Sequence, residues 1–424
     1  MIRPLFPGRA SLKRFGSTFG STSRVENLLA KVKVRWWLLI VRRKRKHKQY
    51  AEALEILHKV IAVQPQRALA FVQAGYCLAK LNRQEEALRS YARALEIAPN
   101  YGEAHAYMGL TYHDLGQYRE ALESLNRAIR MKPNLTDDPY WLHMLGLTSG
   151  HAEQWEQSFA AFAKFAESDG RNGNAWHGLG WALAHLNRDS EALAPLKRGI
   201  QLEPQNAAAH RELGDSYFKL QLFSEAVEQF QEYIKLKPND PAGHHSLGMA
   251  YWELGEFALA VEPFRQALSL GPEFAEVYVT LGQVYAKLGQ KEKVALAARD
   301  ALRLDPSDPD AYLLLGWALH EPGTLVEAVA AYEKSLELKP SQLQALAYLG
   351  DAYLQLGRLE EAREILSHAS AVSSSDPKLH HSLAELYLKL GMRDEACREH
   401  EALRQLDPSL AEAFARLLGS PPRS

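Results

Sequence analysis

The sequence predicts an all-α solenoid of stacked helix hairpins, and three periodic observations predict it. Proline recurs every 34 residues at Pro65, Pro99 and Pro133, then at Pro204, Pro238, Pro272, Pro306 and Pro340, with Pro408 closing the series. Each interval holds two apolar stripes at helical spacing. In the interval that opens at Ala207, His210, Leu213, Gly214 and Tyr217 form an i, i+3, i+4, i+7 face, and Ala226, Phe230 and Tyr233 form a second. A glycine also recurs at one mid-helix position, at Gly75, Gly109, Gly146, Gly180, Gly214, Gly248, Gly282, Gly316 and Gly350. A fixed period in this range marks units that cannot bury their apolar faces alone and gain a continuous core by stacking.

The chain begins with residues 1–24, which contain no acid and are rich in Gly, Ser and Pro, so disorder is expected there. Residues 25–48 read as a basic amphipathic helix merging into a first, degenerate repeat. The register of GQYREALESL at 116–125 recurs in KQYAEALEIL at 48–57, which makes that first repeat credible. The solenoid then runs over 34–410, in units near 34–67, 68–101, 102–135, 139–172, 173–206, 207–240, 241–274, 275–308, 309–342, 343–376 and 377–410.

Within each unit a turn, often closed by glycine as at Gly116, Gly255, Gly289, Gly357 and Gly391, separates the helices, and the ladder proline stops the second. The mid-helix glycine costs about 0.8–1 kcal/mol relative to alanine. Its recurrence implies close helix approach, with Ala192, Ala226, Ala260, Ala328 and Ala362 expected to supply the small residue opposite. Residues 411–424 are a capping helix and tail whose helical part starts near 409, with Phe414, Leu417 and Leu418 covering the last apolar face.

Departures from the period stand out. Thr136, Asp137 and Asp138 are extra, Gly170 replaces a ladder proline, and a local change of curvature is expected over 134–172. Pro195 and Pro263 fall inside second helices and should bend them. Pro322 is expected to sit harmlessly at the end of a first helix, and Ser374 to replace a ladder proline without changing the period.

This pattern, with its aromatic or aliphatic fourth residue, small eighth, alanine at the twentieth and proline near the end, resembles the tetratricopeptide repeat family over about residues 34–410. The resemblance implies a right-handed superhelix of about 11 antiparallel hairpins, with a concave groove lined mainly by first helices. Some members clamp acidic C-termini with Lys and Asn at the fifth and ninth positions, and the O-linked N-acetylglucosamine transferases carry an asparagine ladder. Neither set is present here. The fifth positions instead include His143, His177, Arg211 and His245, the ninth include Tyr76, Trp181, Asp215, Met249 and Trp317, and His185 and Trp252 lie a turn further along. Trp, Tyr, Arg and Met are enriched at interface cores, so these residues form the candidate partner groove, for an extended peptide or a partner helix. The alternative is that they pack against one another across adjacent units.

Composition is that of a globular chain of 424 residues, 46% hydrophobic and 24% charged, with net charge -1. Its charge is uneven: residues 1–48 carry a net +13 and residues 49–424 a net -14. The basic helix admits three uses. Trp36 and Trp37 with Arg42, Arg43, Lys44, Arg45 and Lys46 could lie on a membrane surface or another acidic surface, the cations could contact nucleic acid, or the segment could address an organelle. The register favours a fourth use, with Trp36, Trp37 and Ile40 as core of the first repeat. WWLLIV is too short to span a bilayer, which needs about 20 apolar residues.

Cys77 and Cys397 lie in distant units and are expected to remain thiols, consistent with a reducing compartment. His320 with Glu321, and His400 with Glu401, lack the second histidine of a metalloprotease motif, and GLGWAL at 178–183 is helix interior rather than a phosphate loop. The expectation is a non-catalytic scaffold binding a protein or peptide ligand, with no cofactor, metal, small-molecule substrate or nucleic acid. Its expected place is the cytoplasm, with membrane association or organelle targeting left open. The runner-up is a membrane-peripheral adaptor tethered by the basic helix.

Overall fold

The computed structural model describes residues 22–271, 274–372 and 377–418, and helices are the only regular structure among them. Residues 1–21 of the expected disordered head, Pro272, Ser374 and the extreme tail lie outside the described residues, while Thr22, Ser23 and Arg24, expected to be disordered, already belong to the first helix. Repeats 1 to 5 pair Thr22–Lys46 with Tyr50–Val63, Ala68–Lys80 with Gln84–Ile97, Gly102–Asp114 with Tyr118–Met131, Pro139–His151 with Trp155–Ser168, and Gly173–His185 with Asp189–Leu202. Repeats 6 to 11 pair Ala207–Lys219 with Phe223–Leu236, Pro241–Glu253 with Phe257–Leu270, Ala275–Lys287 with Lys291–Leu304, Pro309–Ala318 with Leu325–Leu338, Leu343–Gln355 with Leu359–Val372, and Pro377–Lys389 with Arg393–Leu406. A last helix, Pro408–Leu418, follows. The packing divides into two compact units, residues up to Glu212 and residues from Leu213 on.

The hairpin turn is built on one residue of positive φ at the fifteenth position of a repeat. Glycine fills it at Gly116 (φ 73°) and Gly255 (φ 76°), while Asn82 (φ 61°), Glu153 (φ 60°) and Gln221 (φ 59°) adopt it at a steric cost. Repeat 9 breaks this pattern. Pro322 disfavours helical backbone in the residue before it and has no N–H to donate, and the first helix ends at Ala318, ten residues long against thirteen in every other repeat after the first. The proline expected to be harmless therefore shortens its helix. Pro195 and Pro263, by contrast, sit inside uninterrupted helices of 14 residues.

The mid-helix glycines do mark close approach, but not to the alanine. A methyl carbon at Gly214 would lie 2.6 Å from the ring of Phe230, and one at Gly316 would lie 2.5 Å from the ring of Tyr332. Except at Gly282, the residue over the glycine is thus the large one four positions beyond the alanine, one turn further along the second helix. Ala226 and Ala328 are fully buried in the same helices.

In the first unit, Val34 and Val41 anchor the first helix to a core that includes Leu57, Ala74 and Tyr91, while Trp37 and Leu38 pack at its edge. Trp36 is 45% exposed, so the core register passes through Val34 and Val41 and leaves this tryptophan outside it. The three extra residues before repeat 4 complete a single 3₁₀ turn, Pro133–Asp137, whose Leu135 is buried against Ala106 and Ala128. Asp138 then caps the next helix, its carboxylate accepting from Tyr140 N–H at 2.9 Å. In the second unit, repeats 7 to 9 share a core around Phe264, Val284 and Val294, and repeats 9 to 11 share one around Tyr332, Leu349 and Leu366. Phe414 of the last helix is fully buried against Ala384 and Leu403, closing the apolar end. Burial of such a ring stabilises by about 1.5–3 kcal/mol. The side chains of Leu417 and Leu418 lie outside the described residues.

Candidate functional site

In repeats 3, 6 and 7 the fourth residue of the first helix bonds back to the preceding ladder proline. His105 Nε2 lies 3.3 Å from Pro99 O, His210 Nε2 3.2 Å from Pro204 O, and His244 Nε2 2.9 Å from Pro238 O, each N–H donating to the carbonyl. Trp176 repeats the contact, its Nε1 donating to Gly170 O at 3.0 Å, so the position without proline keeps the same anchor. These side chains fasten one hairpin to the next.

One turn further along, in repeats 4 to 6 of the first unit, a cavity of about 520 Å³ opens. It brings together four of the sequence-predicted residues, His143, His177, Trp181 and Arg211. Leu147, Phe162 and Trp181 form its apolar wall, and Asn174, Asn206, Arg211 and Glu212 its polar rim. Trp181 is set by the aromatic groups around it: Trp155 at 5.0 Å, His185 at 5.4 Å, His151 at 5.6 Å and Phe162 at 6.5 Å between ring centroids. Its ring fits only because position 150 is glycine, where any Cβ would collide with the indole. His185 stacks on Trp155 at 4.1 Å and its Nδ1–H donates to Trp181 O at 3.0 Å, which fixes the imidazole beside the cavity.

Burial disfavours the charged form of three histidines here. Burial pushes His177 down to about 4, with the nearby Arg211 and His143 adding to the effect, and burial lowers His143 and His151 as well. His177 Nε2 is buried and has no hydrogen-bond partner. Arg211 is exposed, with its Nη2 3.4 Å from Glu212 Oε1. The cavity thus offers aromatic surface, an unmatched imidazole nitrogen and a guanidinium. Among the described residues no group of three or more His, Cys, Asp or Glu is placed to hold a metal ion.

The remaining predicted residues are placed elsewhere. Tyr76 lies under the Arg45 guanidinium at 4.1 Å and meets Tyr107 edge-on at 5.3 Å. In the second unit, Met249, Trp252 and Trp317 are partly buried against the core of repeats 7 to 9, with Trp252 edge-on to Phe257 at 5.1 Å. His245 leans on Phe264 at 5.8 Å and is lowered by burial, and Asp215 is half-buried. On the first helix, Lys44 pairs with Glu52 and Lys33 lies 4.8 Å over Trp37, while Arg42, Arg43 and Lys46 are exposed. Both cysteines are free thiols, and burial pushes Cys77 up to about 11.

Sequence reasoning missed Trp155, Asn174 and Asn206. A signal existed for Trp155, which occupies the seventeenth position, as does Tyr118. Tyr118 stacks on His151 at 4.7 Å as Trp155 stacks on His185, so an aromatic at this position covers the imidazole of the next repeat.

Tandem 34-residue hairpins with these turns and anchors make a tetratricopeptide repeat protein, and models of that repeat match residues 75–116, 102–135 and 143–206. The model of the cilia and flagella-associated protein 70 C-terminal domain matches residues 204–416, half of the chain, and the chain belongs to that family. No curated protein sequence matches it. Among solved structures, the fold is similar to Cut9 in the APC/C hetero-tetramer Cut9-Hcn1, at 14% identity and TM-score 0.48, covering 91% of this chain and 96% of that one. It is similar to yeast Tom70 at 15% identity and TM-score 0.38, covering 93% and 96%, and to MamA at 24% identity and TM-score 0.37, covering 39% and 96%. Proteins of this repeat class are protein-interaction scaffolds. No helix among the described residues is long and apolar enough to cross a membrane.

Proposed function

We propose that this chain is a non-catalytic scaffold whose cavity around His177 and Trp181 docks a segment of a partner protein, as an extended peptide or a helix, during complex assembly. The observation that carries the reading is the buried, unpaired His177 Nε2 inside a cavity walled by Leu147, Phe162 and Trp181. A buried polar atom left unmatched costs about 1–3 kcal/mol, which a ligand hydrogen bond recovers. The apolar wall suits one large side chain of the segment, and Arg211 with Asn174 and Asn206 suits its carbonyls or a carboxylate beside it.

The test is to pan a displayed random-peptide library on the full chain and measure the selected peptides against variants. Trp181→Ala with Arg211→Ala is expected to weaken binding about thirtyfold or more, since hot-spot truncations cost at least about 2 kcal/mol. Arg211→Ala alone changes an exposed side chain and should leave the far-UV spectrum unchanged while still weakening binding. Peptides that bind the double variant as tightly as the parent would move the docking site elsewhere.

A further inference from the structure

The first helix carries an apolar stripe on the side away from its own core. Leu28 is 63% exposed, Val32 52%, Trp36 45% and Leu39 61%, although Val34 and Val41 of the same helix are buried. At 100° per residue the stripe is centred about 160° from the Val34 and Val41 line, and it runs about 16 Å along the axis. From residue 27 to 46 there are eight Lys or Arg and no acid. Lys31, Arg35 and Arg42 fall on one flank of the stripe and Lys33 on the other, which places cations on both sides of an apolar line.

We infer that this face is a seat for an anionic membrane surface, with the helix lying in the interfacial plane. The apolar line would enter the acyl boundary while the flanking cations, on long aliphatic stems, meet lipid phosphates. Tryptophan on such a line belongs at the headgroup level. Other occupants fit less well. Residues 1–21 hold four bases and no acid, so like charge opposes their covering the face. Nucleic acid would use the cations and leave the apolar line without a role. The inference is independent of the partner cavity in repeats 4 to 6.

The test is co-sedimentation of the full chain with vesicles of phosphatidylcholine, with and without phosphatidylserine. Binding to the phosphatidylserine vesicles is expected, falling as salt is raised. Arg42→Gln with Arg43→Gln should weaken it about twentyfold, at about fivefold for each surface cation. Leu28→Ser with Leu39→Ser changes exposed side chains and no charge, and should weaken it at least tenfold with helix content intact. Equal binding of the serine variant would overturn the inference, as would equal binding to phosphatidylcholine alone. Two further outcomes also overturn it: duplex DNA bound more tightly than vesicles and equally by the serine variant, or a dimer of the parent that the serine variant abolishes without any change in vesicle binding.

Discussion

Replacing Gly282 and Gly316 by alanine should shift stability in opposite directions. Both occupy the eighth position of a repeat, and in a helix either change gains about 0.8–1 kcal/mol of intrinsic preference. At Gly316 the new methyl would lie 2.5 Å from Tyr332 Cε1 and 2.6 Å from Cδ1. That ring is fully buried and its hydroxyl is held 3.1 Å from His320 Nδ1, so it has no room to swing. Overpacking of this kind costs about 1–3 kcal/mol, and this contact belongs at the upper end, for a net loss of about 2 kcal/mol. At Gly282 the twenty-fourth position is the small Ala298, which brings no atom within 4 Å of the added methyl, and the nearest atoms are Leu314 Cδ1 at 3.1 Å and Ala297 Cβ at 3.6 Å. A small shift of the Leu314 terminus accommodates the methyl, for a net gain of up to about 1 kcal/mol. Urea unfolding followed by circular dichroism measures both, compared at the midpoint with the slope checked for constancy, because long repeat arrays can lose two-state behaviour. Gly316→Ala in a Tyr332→Ala background should cost nothing further, which a double-mutant cycle reads directly. Equal destabilisation by Gly282→Ala and Gly316→Ala would refute the reasoning, because the ring would then not be the reason for glycine.

Acidification should weaken the first unit through His177. The folded chain holds this imidazole at about 4, below its ordinary 6.5, so the unfolded chain binds the proton first as pH falls. Stability is therefore complete above about 6.5, declines through the interval down to about 4, and levels off below it, by about 1–3 kcal/mol for this group. His177→Gln should flatten that decline in a stability profile against pH, and an unchanged profile would contradict the assignment. At the hairpin turns, Gln221→Gly should stabilise by up to about 1 kcal/mol, since the residue holds φ 59° at a steric cost that glycine does not carry. Gly116→Ala should destabilise by a similar amount, since φ is 73° there and nothing lies within 4 Å to be overpacked.

The hairpins were legible because each is set by local chemistry that recurs: an apolar face at helical spacing, a turn residue tolerant of positive φ, and a proline that stops the second helix. The partner of the mid-helix glycine was not legible in the same way. Small residues at the eighth and twentieth positions suggest that they meet, yet helical side chains lean toward the N-terminus of their own helix. The twenty-fourth residue therefore reaches back over the glycine, as Phe230 does over Gly214. Sequence spacing gives the face of a helix and not this lean. Pro322 was misjudged for a related reason: its effect falls on the conformation of the preceding residue, so the helix ends earlier than the proline's own position suggests.

The cavity shows what a strict repeat reveals and what it hides. Reading down the fifth and ninth positions selected His143, His177, Trp181 and Arg211, because one position occupies one place on successive first helices. It also selected Met249 and Trp317, and the turn beyond selected Trp252, all of which pack into their own core instead. The difference lies in the residues beside them. In repeats 4 and 5, Gly150 and Gly178 remove side chains where Trp181 and Phe162 would otherwise collide with a Cβ, so the rings sink and space opens above them. Gly150 is the twelfth residue of its repeat, and the twelfth residues of the repeats preceding Trp252 and Trp317 are Phe218 and Ala286, neither of them a glycine. At this face the two glycines outside the shared register seat the rings that wall the cavity, and Gly150→Ala should drive Trp181 out of its seat. The check is a peptide-binding titration beside an unfolding curve: binding should fall at least as far as in Trp181→Ala, while a variant that binds like the parent would show that the indole's seat does not shape the docking surface.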